Sequence, residues 1–65
     1  MSEELIVLKE YIQGLGFDPR SATARNLYDL RAALLDAGEF GLARFVYGLR
    51  VPEELMEYIG DWWEE

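Results

Sequence analysis

The 65-residue chain predicts an all-α fold, a single compact bundle of four short helices at approximately residues 3–13, 20–37, 39–49 and 52–63. Three observations lead there. Apolar residues recur at helical rather than alternating spacing along most of the chain. Glycine and proline cut the sequence into four segments. The connections left over are only a few residues long, as a helical bundle requires.

The first helix opens at Ser2, a good N-cap. Leu5, Leu8, Ile12 and Leu15 line one face, widened by Val7 and Tyr11, while Lys9, Glu10 and Gln13 lie opposite. Gly14 and Gly16 are expected to end it, because glycine takes the left-handed cap without strain. Asp18-Pro19 opens the second helix, with Ser21 and Thr23 as alternative caps. Its stripe is Leu27, Leu30, Leu34 and Ala37, flanked by Ala24 and Ala33 and closed by Gly38. In the third stretch Leu42, Phe45, Val46 and Leu49 fit the helical template. Phe45, Tyr47, Leu49 and Val51 also alternate as in a strand, but a lone strand lacks a pairing partner. Helix is therefore the reading. Pro52 restarts the chain, with Glu53 and Glu54 at the positive end of the fourth helix dipole. Leu55, Ile59 and Trp62 form its inward face, beside Met56, Tyr58 and Trp63. The expected core is Leu8, Ile12, Leu27, Leu30, Leu34, Phe45, Val46, Leu55 and Ile59.

Composition bounds the rest. Leu, Ile, Val and Phe number 19 of the 65 residues, enough for one packed core and for a single domain. The chain has neither Cys nor His, so disulfides and the usual zinc, iron–sulfur and haem ligands are missing, and no cofactor or metal is expected. That composition suits a reducing compartment. Leu5 to Leu8 is too short an apolar run for a signal core and follows acids rather than bases. No run reaches the length of a membrane span. A soluble, cytoplasmic protein is the expectation.

Enzymatic chemistry lacks its parts. A nucleophile has no His or Cys beside it. The glycines are not followed by the Lys-Ser/Thr of a phosphate loop. Asp36 to Phe40 lacks the alternating acids of a calcium loop. No catalytic residue is assigned.

Charge is more informative. The net charge is −7, and residues 51–65 hold six acids and no base, whereas residues 17–50 have five Arg against four acids. Glu53, Glu57, Asp61 and Glu64 are spaced four, four and three residues apart, so they are expected to line one face of the last helix. Each like-charged pair at this spacing costs a few tenths of a kcal/mol. Such repeated breaches of local rules are more frequent at functional sites than elsewhere. The bland alternative is a solvated face that gives solubility. Trp62 and Trp63 point about 100° apart on a helix, so one is expected to pack inward and the other, Trp63, to serve as an anchor for a partner; the alternative is that both rings clamp the end of the bundle with their indole N–H groups reaching water.

The expected function is that of a small acidic protein-interaction module, a regulator or inhibitor. Glu53, Glu57, Asp61, Glu64, Trp62 and Trp63 would meet a basic protein surface, in possible competition with nucleic acid. One alternative is a helix-turn-helix-like DNA-binding regulator using Arg44 and Arg50, which the net charge opposes. Another is a homo-oligomer.

Overall fold

A computed structural model describes residues 3–60 and 63. Four α-helices are present, α1 at Glu3–Leu15, α2 at Ala24–Asp36, α3 at Phe40–Tyr47 and α4 at Glu53–Ile59, with a 3₁₀ turn at Pro19–Ser21 between the first two. No strand occurs among the described residues. Residues 44–51, where strand and helix patterns competed, hold the second half of α3 and a turn. The apolar core settles that competition, because Leu42, Ala43 and Val46 lie on one helix face and are all buried.

Each helix has a local cause. Glu3 and Glu4 occupy the first turn of α1, where the dipole favours acids. Gly14 lies inside α1, so that helix runs two residues beyond the expected end, to Leu15. The stretch expected as one helix from residue 20 to 37 is divided. Asp18 caps the 3₁₀ turn, accepting the Arg20 backbone N–H at 2.9 Å, and Ala22 is then extended with ψ of 143°. The Arg20 N–H, aided by its guanidinium at 3.3 Å and opposed by partial desolvation, holds the Asp18 carboxyl below its ordinary value of 3.8. Thr23 caps α2 proper. Its Oγ1 accepts the Asn26 N–H at 3.1 Å while Asn26 Oδ1 accepts the Thr23 N–H at 2.9 Å, a reciprocal capping box.

Helix α2 closes in a Schellman turn. The Glu39 N–H reaches the Leu34 carbonyl at 2.8 Å and the Gly38 N–H reaches Leu35 at 3.1 Å. Gly38 has φ of 80°, which a residue with a Cβ adopts only at a cost. The turn is three residues long, and α3 doubles back to make its most extensive contact with α2. Helix α4 begins behind Pro52, which already has helical dihedrals (φ −58°, ψ −30°). It ends at Ile59 and does not continue to residue 63. Gly60 has φ of 59° and ψ of −145°, a conformation open mainly to glycine, and its N–H bonds back to Met56.

The core comprises Leu8, Ile12, Leu30, Leu34, Leu42, Ala43, Val46, Leu55 and Ile59. Leu27 and Phe45 were expected there and instead lie at its edge, partly buried. Phe45 packs its ring against Tyr58 of α4 with centroids 4.2 Å apart, which ties α3 to α4. Helix α2 is central, touching α1 and α3, and α4 packs on the 3₁₀ turn around the buried Pro19. No described polar or charged side chain is buried, so packing rests on apolar contact alone. The radius of gyration is 10.5 Å, close to the roughly 10.7 Å expected of a compact chain this long.

Candidate functional site

The expected acidic site is only partly in view. Glu53 and Glu57 are exposed on α4, one turn apart, and neither has an ion-pair partner among the described residues. Asp61, Trp62 and Glu64 lie outside the described residues. Helix α4 spans Glu53–Ile59, so of the four acids it carries Glu53 and Glu57. Trp63, expected as an outward anchor, is half-buried and packs on the core. The Lys9 ammonium of α1 sits 5.7 Å from its ring centroid, in cation–π range. The ring thus secures the end of the bundle to α1.

A second surface was not singled out from sequence. On α2, Tyr28, Arg31 and Leu35 follow each other at helical spacing beside the face that carries Leu30 and Leu34. On α3, Phe40, Arg44 and Tyr47 do the same. The Schellman turn brings the two stripes side by side. Phe40 is 66% exposed and Tyr47 71%, and Leu35 and Tyr28 are exposed as well. Four of the large apolar or aromatic side chains that the core leaves out thus gather along one seam. Scattered exposed apolar residues need no explanation, whereas a contiguous group does.

The seam has a definite shape. The Arg31 guanidinium lies 5.0 Å from the Tyr47 ring and 5.1 Å from the Tyr28 ring, bridging the two helices. On one side of this bridge is an open hollow of about 600 Å³ lined by Arg31, Leu35, Phe40, Ala43, Arg44 and Tyr47. On the other is a smaller one of about 250 Å³, with Leu27, Leu49 and Pro52 in its walls and Arg50 at its edge. No carboxylate lines either hollow.

Electrostatics sharpen the contrast. Arg25 is paired with Asp29 at 3.1 Å, and Arg20 with Asp18 at 3.3 Å. The guanidinium groups of Arg31, Arg44 and Arg50 have no carboxylate partner among the described residues. In a chain with 13 acids and 6 bases, Arg31 and Arg44 thus form a cationic patch, which Arg50 extends to where its backbone N–H meets the Glu54 carboxylate at 3.4 Å. The patch presents a planar cation held between aromatic rings, an apolar floor, and guanidinium donors at the rim.

Sequence carried a signal for this surface that periodicity alone hides. Each of α2 and α3 bears a second apolar stripe beside its core stripe, interrupted by Arg. Only the pairing of the two helices makes it one patch. Among the described residues no group of three or more His, Cys, Asp or Glu is placed to hold a metal ion. No described helix is long and apolar enough to cross a membrane. No protein-family model, curated protein or solved structure matches the chain.

Proposed function

We propose that the chain is a small protein-interaction module, a regulator or inhibitor by binding alone, and that its docking surface is the α2–α3 seam. The observation that carries this reading is the convergence of exposed Leu35, Phe40 and Tyr47 around unpaired Arg31 and Arg44 on one open hollow. Interfaces draw their energy from a few aromatic and Arg side chains surrounded by a polar rim, and this is that composition. The hollow is open rather than enclosed, so it suits side chains delivered by another macromolecule.

A second reading keeps the acidic surface. Glu53 and Glu57 are exposed and unpaired, so α4 offers charge to a basic partner. With Trp63 turned to the core, the large exposed aromatic that α4 offers beside these carboxylates is Tyr58, whose ring is already stacked on Phe45 and so is not a free anchor. Charge complementarity without an anchor mainly speeds encounter. The seam is therefore the stronger candidate.

Capture from an extract of the source cells separates the two. The wild-type chain is compared with Phe40→Ser/Tyr47→Ser and with Glu53→Lys/Glu57→Lys, after circular dichroism confirms that each variant is folded. Loss of a captured protein only with the seam variant supports the proposal. Loss only with the α4 variant overturns it in favour of the acidic surface.

A further inference from the structure

The partner's chemistry can be read from what the seam lacks. Its two hollows are lined by apolar, aromatic and Arg residues and by no acid, although acids outnumber bases 13 to 6 in the chain. Arg44 and Arg50 stand towards its two ends on α3 and just beyond it, and Arg31 sits between. Accepting the seam as the docking surface, we infer that its occupant is an acidic amphipathic helix of a partner protein. Two or three apolar side chains at i, i+3 or i+4, and i+7 would enter the hollows on either side of the Arg31–Tyr47 bridge. Flanking carboxylates would meet Arg31, Arg44 and Arg50.

Three arguments favour this occupant. The first is charge. A guanidinium held by ring faces keeps its N–H edge for a carboxylate, and bidentate Arg–carboxylate pairs are among the stronger charge-assisted contacts. The second is range. Charges beyond about 8 Å are screened at physiological salt, so an approaching segment meets the local Arg patch more than the net charge of −7. The third is shape. A hollow on each side of one ridge between two packed helices matches the paired anchors of a helix laid in a groove. A nucleic acid would also welcome three Arg, but its phosphate row runs on past them, to where Arg20 and Arg25 are already paired with Asp18 and Asp29. It would also leave the apolar floor of Leu35 and Ala43 without a partner. A second copy docking by the same face would set one Arg-lined, acid-free seam against another, like charge facing like.

The test is a selection. A displayed library of helical peptides, apolar at i, i+4 and i+7 and random among Glu, Lys, Gln and Ser at the flanking positions, is panned against the full chain. Panning is repeated against Phe40→Ser/Tyr47→Ser. Enrichment of Glu-flanked peptides that is lost on the variant supports the inference. For those peptides Arg44→Gln or Arg50→Gln should each weaken binding roughly 2- to 5-fold and flatten its salt dependence. Tyr47→Ala should weaken it roughly 10-fold or more. Enrichment of Lys-flanked or uncharged peptides, again lost on the variant, overturns the acidic partner but leaves the docking surface standing. Enrichment that survives on the variant, or none at all, overturns both. A random-sequence DNA or RNA oligonucleotide that binds the wild type at physiological salt, and not the variant, overturns the inference in favour of nucleic acid. A sedimentation-equilibrium dimer abolished by the same variant overturns it in favour of a second copy.

Discussion

At the scale of single residues, stability rests on a few aliphatic side chains. Leu30 and Leu34 are fully buried on the helix that touches both α1 and α3. Truncating either removes its transfer energy and leaves a cavity that a small core only partly closes. Leu34→Ala is expected to cost about 2–5 kcal/mol, against a total of roughly 3–10 kcal/mol for a chain this long. Thermal and urea denaturation check this, and a midpoint that barely moves would place Leu34 outside the core. These positions were legible from sequence because a core residue on a helix announces itself by period. Leu27 and Phe45 show where period stops being enough. Both lie on apolar stripes, yet Leu27 borders an open hollow and Phe45 meets Tyr58 at the edge. Depth depends on which neighbouring helix covers the stripe, and that is not written in the stripe itself. Trp63 is the sharpest case. Its neighbour Trp62 made one outward ring expected, but the contact that holds Trp63 comes from Lys9, 54 positions earlier in the chain.

At the scale of elements, caps and glycines set the boundaries. The region from residue 18 to 23 contains three plausible starts, Asp18, Ser21 and Thr23, and the fold uses two of them in succession. Sequence offers the caps but does not show that Ala22 is extended between them. Gly38 and Gly14 make a paired test of the glycine argument. A Cβ at either position meets nothing within 4 Å, so only backbone conformation distinguishes them. Gly38→Ala must place alanine at a φ of 80°, costing about 1–2 kcal/mol. Gly14→Ala falls inside α1 and should gain up to about 1 kcal/mol, less for being close to the helix end. Chemical denaturation of the two variants measures this directly. Equal effects of the same sign would contradict the turn geometry. Gly60 is the boundary that departs most from the sequence pattern, because it closes α4 at Ile59. A glycine inside an apolar-periodic pattern reads as tolerable from sequence, and its positive φ appears only in the fold.

At the scale of the whole molecule, charge and apolar surface are sorted into different regions. Net charge by stretch already separated an acidic C-terminal quarter from a balanced middle. It did not reveal that the middle's Arg residues gather with exposed aromatics, since that requires α2 and α3 to be folded against each other. The sorting has a consequence in the free protein. Glu53 and Glu57 have no cationic partner among the described residues, and the chain carries −7 overall. Added sodium chloride should screen this repulsion, with a Debye length near 10 Å at about 0.1 M. The melting temperature should therefore rise or stay level. A clear fall would mean that ion pairs dominate the surface energetics. The central claim is that the α2–α3 seam meets a partner protein. Site-specific photocrosslinking tests it most directly, with benzoylphenylalanine placed at Phe40 in one variant and at Glu57 in another, each irradiated in an extract of the source cells. The account predicts a light-dependent protein adduct from position 40 and none from position 57. Adducts from position 57 alone, or from neither, would contradict it.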